Sequence, residues 1–194
     1  MRELVFMLEE QSAQEMLEKI VPRLLSPETQ IVARYIKFEG KQDLDKQLHP
    51  KLSSYLNPDA RFIILRDQDS SDCLSIKSDL ASLCNRAGRS EAIIRIACHE
   101  LEAFYLGDLT AVEIGLGIAG IACQQTKAKF RNPDSLISPA RQLERLTKNR
   151  YQKIAGSRAI APHLNLKNCG SRSFHNLVQA IRHTAFLLGD VSRP

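Results

Sequence analysis

The sequence predicts an α/β fold: a four-stranded, mainly parallel sheet with helices on both faces, followed by a mainly helical C-terminal subregion. Three observations predict it. Short apolar, β-rich runs alternate with stretches of helical periodicity up to residue 100, an order that builds strand–helix–strand units with right-handed crossovers. The runs are continuously apolar rather than alternating, as in strands buried on both faces. Beyond residue 100 no further run of this kind recurs, and helical spacing takes over.

The elements follow in order. Residues 3–8 read as the first strand. Residues 14–25 carry Met16, Leu17, Ile20, Val21 and Leu24 at helical spacing, with Ser12 as the expected N-cap and Pro27 as the stop. A second strand is predicted over 30–38. Gly40 turns the chain, and Leu44, Leu48, Leu52 and Leu56 stripe a second helix that Pro50 is expected to kink or interrupt. Asn57-Pro58-Asp59 is a turn, and 61–66 is the third strand. A third helix is predicted over 72–86, with Leu74, Leu80 and Leu83 among its apolar positions and Gly88 ending it. The fourth strand is 92–98. Then come a helix over 101–113 broken near Gly107, a proline-containing loop over 127–139, and helices over 139–148 and 174–188. This divides the chain into an α/β core, 1–115, and an extension, 116–194, packed on it as one compact unit.

A chain of 194 residues with 43% apolar content can bury one substantial core. No apolar run approaches the roughly 20 residues that span a membrane, and Arg2-Glu3 leads directly into the first strand. The expectation is a cytoplasmic protein without a membrane partner. The five cysteines are scattered and form no Cys-x-x-Cys pair, so they read as small buried residues in a reducing compartment. The net charge of +5 conceals an asymmetry. Residues 1–126 hold 14 Lys and Arg against 19 Asp and Glu, a net of −5; residues 127–194 hold 13 against 3, a net of +10. The basic part suits a polyanion such as nucleic acid; a solvated basic helical surface is the alternative.

Three acidic clusters follow three of the strands: Glu9-Glu10, Asp67-Gln68-Asp69 and Glu100-Leu101-Glu102. In a parallel sheet the strand ends share one edge, where open α/β folds bind their ligands. Carboxylates gathered there repel one another unless a cation joins them, and hard oxygen donors point to Mg²⁺ or Mn²⁺. Asp67 and Asp69 face one side if the backbone is extended. Glu9 reads as a ligand or proton-transfer group, or as a first-turn glutamate favoured by the helix dipole. Only one of Glu100 and Glu102 reaches the site if the helix has begun there, and Glu100 is nearer the strand end. Asp72 is a helix cap or an outer contact, and Asp108 a weaker candidate.

Gly40-Lys41 resembles the end of a nucleotide-binding P-loop, but Tyr35 stands where that pattern needs glycine. ATP hydrolysis by this chain alone is therefore excluded, and Lys41 is kept as a phosphate contact at the sheet edge. His99-Glu100 opens no zincin motif, because position 103 is Ala. Lys127, Lys129 and Arg131 surround Phe130, and Arg150 and Lys153 flank Tyr151. That interleaving suits a nucleic-acid strand whose bases stack and whose phosphates pair with cations, and also suits ordinary surface side chains. Arg172, beside Ser173 and His175, joins the candidate phosphate contacts.

Glu after the first strand and Asp-x-Asp after the third resemble the Toprim domain of topoisomerases, primases and overcoming-lysogenization-defect nucleases. More closely, Phe38-Glu-Gly-Lys41, Leu65-Arg-Asp67-Gln-Asp69, Glu100-Leu-Glu102-Ala, Tyr105-Leu-Gly-Asp108, Lys129-Phe-Arg-Asn-Pro133, Tyr151-Gln-Lys153 and Ser171-Arg-Ser-Phe174 resemble a bacterial family labelled domain of unknown function 4276. The resemblance implies a Toprim/Rossmann-like sheet and divalent-metal binding by Asp67 and Asp69, with Glu9 as ligand or general acid/base. It also implies an ABC-type ATPase partner and a role in phage defence or DNA maintenance. Toprim domains commonly have Gly or Asn after the first Glu, where this chain has Glu10. The expected function is a Mg²⁺- or Mn²⁺-dependent nuclease or related phosphoryl-transfer enzyme on DNA or RNA. Asp67, Asp69 and Glu100 or Glu102 would hold the metal, with Glu9 as a further ligand. Glu9, Lys41, Asp67 and Asp69 would form the catalytic set, and the polyanion would lie on Lys41, Lys127, Lys129, Arg131, Arg150, Lys153 and Arg172. The alternative is a non-catalytic nucleic-acid-binding or regulatory subunit of such an ATPase. Homo-oligomerisation is left open.

Overall fold

Four strands, β1 (Glu3–Leu8), β2 (Val32–Lys37), β3 (Ala60–Asp67) and β4 (Ile93–Ala97), form one all-parallel sheet in the order β2-β1-β3-β4 in the computed structural model, which describes residues 1–190. Between them run α1 (Gln11–Ile20), α2 (Lys41–Ser53) and α3 (Cys73–Arg86). The remainder is helical: α4 (Glu102–Leu106), α5 (Leu109–Leu116), α6 (Ala128–Arg131), α7 (Pro139–Leu146), α8 (Lys153–Ile160) and α9 (Arg172–Leu187). The α/β class, the parallel sheet and the helical C-terminal region are as the sequence predicts.

Strand periodicity sorts the core into two layers. On β1, Leu4, Phe6 and Leu8 face one layer while Val5 and Met7 face the other, and on β3 Ile63 and Leu65 oppose Phe62 and Ile64. The first layer lies beneath α1, α4, α5, α8 and α9; the second lies beneath α2 and α3. β1 is buried along its whole length, which is why its sequence does not alternate. Each fully buried Leu, Ile or Phe in such a layer contributes roughly 1.5–3 kcal/mol.

Several boundaries differ from the sequence reading. α1 begins at Gln11 with Glu10 at the N-cap, so Ser12 lies inside the helix and donates its hydroxyl to the Glu10 carboxylate. The helix then tightens into a 3-10 turn over Val21–Arg23, where Pro22 takes the second position. Pro50 sits in the last turn of α2, which runs on to Ser53 and leaves Leu56 outside, 95% exposed. On α3 the buried positions are Ile76, Leu80 and Cys84, whereas Leu74 is 75% exposed. The proline-containing loop folds into α6 and a 3-10 turn at Pro133–Ser135. α8 has no counterpart in the sequence reading: with Gly156 and Ser157 in the middle, its stripe of apolar residues is too short to stand out. Of the cysteines only Cys84 is fully buried, and Cys123 is exposed.

The C-terminal helices are held by backbone proximity. The Gly170 N–H donates to the Gly107 carbonyl at 2.8 Å. Asp134 accepts from the Ser171 hydroxyl and from the Ser173 N–H at the start of α9. Asp108 caps α5 through the Ala111 N–H and also accepts from the Asn165 N–H, so its role is structural. α8 approaches α5 most closely at Gly115, where a Cβ would stand 2.6 Å from the Ala159 carbonyl oxygen and 2.7 Å from the Ile160 Cα. Both neighbours are backbone and cannot swing aside. Gly115→Ala is therefore expected to cost about 1–3 kcal/mol by overpacking, read as a lower denaturant midpoint. An unchanged midpoint would show that α5 and α8 are not packed in this way.

Candidate functional site

The parallel register brings the strand ends level. Leu8 pairs with Lys37 on one side and Leu65 on the other, and Asp67 pairs with Ala97. Glu9, Lys41, Asp67 and Asp69 consequently emerge at one rim. The Glu9 N–H donates to the Leu65 carbonyl at 3.2 Å, and the Glu9 carboxylate accepts from the Asp67 N–H at 3.0 Å. Side chain and main chain thus tie the first acidic cluster to the second.

The rim has two halves. In the first, Lys41 donates to Asp69 at 2.7 Å. The extended backbone ends at Asp67: Asp69 has a φ of 52° and His99 one of 59°, in the left-handed region where Asp and His are tolerated better than most residues. The two lock together. The Asp69 N–H donates to the His99 carbonyl at 2.7 Å, and His99 Nδ1 lies 3.0 Å from the Asp69 carbonyl. Asp69 therefore turns to Lys41 instead of projecting alongside Asp67 as an extended strand would have it. Asp72 caps α3 by accepting from the Ser75 N–H.

In the second half, Asp67, Glu10, Glu102 and Lys153 form one electrostatic group. Lys153, the first residue of α8, donates to both carboxylate oxygens of Glu10, at 3.1 and 3.3 Å. Burial opposes the Lys153 charge, but Glu102, Glu10 and Asp67 outweigh it and hold the ammonium above the usual lysine range. Burial pushes the Asp67 carboxyl well above the usual carboxylate range, and Glu10, Glu9 and Glu102 add to the rise. Burial likewise raises Glu9, against the donated Asp67 N–H, with Asp69 nearby adding to the rise. It raises Glu102 as well, although Lys153 and the Tyr151 hydroxyl favour its charged form.

Glu102 decides which glutamate of the third cluster joins the rim. It is 0% exposed; one oxygen accepts from the Tyr151 hydroxyl at 2.9 Å, and Oε2 has no partner among the described residues. Glu100, nearer the strand end, is used elsewhere: it accepts from the Ala140 N–H at 2.7 Å in the first turn of α7. The Asp67 carboxylate has no hydrogen bond or ion pair among the described residues. The donors are all oxygen and their neighbours anionic, which is the chemistry that suits a hard cation. Among the described residues, no three His, Cys, Asp or Glu side chains stand at metal-binding separation.

The remaining basic candidates lie outside this rim. Lys129 lines a cleft of about 410 Å³ with Gln124, Gln142, Arg145, Leu146 and Lys148. Lys127 reaches Gln124, Arg131 the Thr126 carbonyl, and Arg150 the Leu116 carbonyl. Arg172 begins α9 and is exposed. The aromatic residues between them are not stacking platforms: Phe130 is 1% exposed and Tyr151 4%. Both fill the core: Phe130 is the buried residue of the short helix α6, and Tyr151, in the segment before α8, packs its ring against Gly156. From the sequence Glu10 reads as the structural neighbour of Glu9 and not as a site residue, and Arg145 and Lys148 were not singled out. These two belong to a basic stretch whose members the sequence does not rank.

The family model of a domain of unknown function (DUF4276) matches residues 8–182. The chain belongs to that family. The match runs from the end of β1 into α9 and includes every rim residue from Glu9 to Lys153. No curated protein and no solved structure matches the chain. No helix among the described residues is long and apolar enough to cross a membrane.

The raised Asp67 carboxyl has a consequence for stability. The folded chain holds that proton more tightly than the unfolded chain, so stability falls as pH rises from the ordinary carboxylate range through the raised folded value. With a chelator present, Asp67→Asn is expected to raise the unfolding temperature near neutral pH by about 2–4 °C, the shift that ~1 kcal/mol gives at this chain length. The gain should vanish at low pH, where wild-type Asp67 is protonated in both states. A lower unfolding temperature at neutral pH would contradict the assignment.

Proposed function

We propose that this DUF4276 protein is a divalent-cation-dependent nuclease, or a related phosphoryl-transfer enzyme, acting on DNA or RNA through the rim of Glu9, Glu10, Asp67, Asp69, Glu102, Lys41 and Lys153. The observation that carries the reading is the excess of negative charge on that rim. Five carboxylates face two lysines, and among the described residues a fully buried Glu102 oxygen has no partner and no hydrogen bond or ion pair reaches the Asp67 carboxylate. Repulsion of this kind is sustained where a function needs it.

Asp67 and Glu102 would hold Mg²⁺ or Mn²⁺, with Glu9 or Glu10 from β1's end. Such an ion, when bound, polarises a phosphate and lowers the pKa of its water. Glu9 is suited to pass a proton, because burial raises its carboxyl above the ordinary carboxylate range, the direction that a proton-transfer group needs. Lys41 would bind a non-bridging phosphate oxygen once released from Asp69. Lys129, Arg145 and Lys148 would carry the polyanion beyond the rim, as sequence-independent phosphate contacts. The Toprim resemblance would give Glu9 and Asp67 these roles, and an ABC-type ATPase partner would supply nucleotide dependence.

A non-catalytic regulatory subunit is the second reading. The ion pairs Lys41–Asp69 and Lys153–Glu10 favour it, since they already neutralise two carboxylates, and no trio is closed to metal-binding separation.

Cleavage of plasmid and single-stranded substrates with Mn²⁺ or Mg²⁺, alone and with a co-purified ATPase, separates the two. The nuclease reading expects Asp67→Ala to abolish cleavage and Glu9→Ala to slow it about 100-fold or more. Metal-dependent cleavage untouched by both substitutions would discard this rim. Separately, Lys129→Glu with Arg145→Glu is expected to weaken binding to all sequences alike and to flatten the dependence of log K on log salt by about 2. An unchanged slope would move the polyanion to another face.

A further inference from the structure

A cleft of about 400 Å³ lies away from the rim, lined by Arg23, His163, Asn165, Lys167 and Arg182. Its cations come from three segments remote in the sequence. Arg23 ends the 3-10 turn after α1, Lys167 follows the 3-10 turn Ala161–His163, and Arg182 lies in the second half of α9. α1 starts beside Glu10 at the rim and carries the chain away from it, on the order of 15 Å before Arg23 is reached. The rim and this cleft therefore stand at opposite ends of α1.

The walls are fixed. Arg23 Nη1 donates to the Ala161 carbonyl at 3.0 Å and Nη2 to the Leu164 carbonyl at 2.7 Å, which clamps one 3-10 turn to the other. The Asn165 side-chain oxygen accepts from the Lys167 and Asn168 N–H groups at 3.0 and 2.9 Å, which sets the course of that loop. Other N–H groups of the Arg23 fork are left over. The positive charge has no counter-charge in the cleft. Between Glu144 and Asp190 the sequence contains no Asp or Glu, and among the described residues no carboxylate lines the cleft. Arg23, Lys167 and Arg182 form no ion pair among those residues. Asp108, on the adjoining cleft, is turned to the Ala111 and Asn165 N–H groups, and Asp190 accepts from the Ser26 N–H. Burial pushes the Arg23 guanidinium below the usual arginine range, so its charge is held at a cost that no carboxylate offsets.

We propose that this cleft binds a terminal phosphate group, the monoester or diphosphate end of a phosphorylated ligand. Arg182 offers a guanidinium fork, Arg23 its remaining N–H groups and Lys167 an ammonium, the contacts by which proteins hold phosphate oxygens. A terminal phosphate carries close to two charges near neutral pH, whereas each phosphate of a nucleic-acid backbone carries a single one. Three permanent cations around one concavity match the more highly charged group. A backbone-binding surface instead spreads its cations along a groove. The assignment does not depend on the reading of the rim.

Calorimetry of pyrophosphate binding to the intact chain, in metal-free buffer at low salt, tests the site. The wild type and the rim variant Asp67→Asn should bind alike. Arg182→Gln and Lys167→Gln should each weaken binding about tenfold or more, the loss expected when a hydrogen bond to a charged group is removed. Lys148→Gln, in the cleft that holds Lys129, should leave binding unchanged. Arg23 is kept intact in these variants, because its guanidinium also clamps the two turns together. Competition then identifies the source of the phosphate: displacement of pyrophosphate by a nucleoside diphosphate points to a free nucleotide, and displacement by an oligonucleotide with a 5′-phosphate points to a strand end. Absence of pyrophosphate binding by the wild type overturns the proposal. So does unchanged binding in Arg182→Gln or Lys167→Gln, or a loss in Lys148→Gln. Equal displacement by an oligonucleotide with hydroxyl ends overturns it as well, because such a strand presents only diesters.

Discussion

The parallel pairing of β1 with β3 is the constraint on which the site depends. β1 is central and wholly buried, so its register is set by two layers of apolar side chains, and a slip of one residue would turn each layer inside out. Held in that register, Leu8 stands level with Leu65. The next residue, Glu9, must therefore meet the last turn of β3, and it does so through the Asp67 N–H. A carboxylate that accepts a main-chain hydrogen bond has a fixed direction, and the other rim groups are arranged around that fixed point.

The C-terminal helices do more than cover one face of the sheet. α4 delivers Glu102, the Thr147–Tyr151 segment delivers the hydroxyl that holds it, and α8 delivers Lys153. These segments pack closely at Gly107 and Gly115, where a Cβ would collide with neighbouring backbone, and at Gly156, where it would collide with the Tyr151 ring. The acidic and basic parts of the chain thus meet at the rim. The charge asymmetry along the sequence becomes a local neutralisation there and a basic cleft at a distance from it. Burial makes each charge at the rim costly, and Lys153, paired with Glu10 and acting at longer range on Glu102 and Asp67, offsets part of that cost.

Some of the site was legible in the sequence. Apolar runs ending in carboxylates could be assigned to strand ends, and a parallel sheet sends strand ends to one edge, so Glu9 and Asp67 as neighbours followed from topology alone. The choice between Glu100 and Glu102 did not. Proximity to the strand end favoured Glu100, but a carboxylate two residues into a turn is available to any helix N-terminus, and α7 took it. The equivalence of Asp67 and Asp69 failed for a similar reason. It assumed extended backbone, and the left-handed turn at Asp69, locked to His99, lies outside what a strand pattern can express. Phe130 and Tyr151 sit among cations in the sequence, but burial depends on what packs over them, which a linear pattern does not record.

The amino-acid sequence by itself determined the α/β class, the four parallel strands, the helical second part and the edge at which the acidic groups gather. Those features follow from periodicity and from chain connectivity, which are local or topological. Tertiary structure alone decided which carboxylates are left without partners, that Lys153 stands among them, and that Glu100, Asp72 and Asp108 serve as caps. These are questions of distance between segments remote in the chain. They were settled by how closely glycine-lined backbones could approach, and by which N–H groups at helix starts reached a carboxylate first.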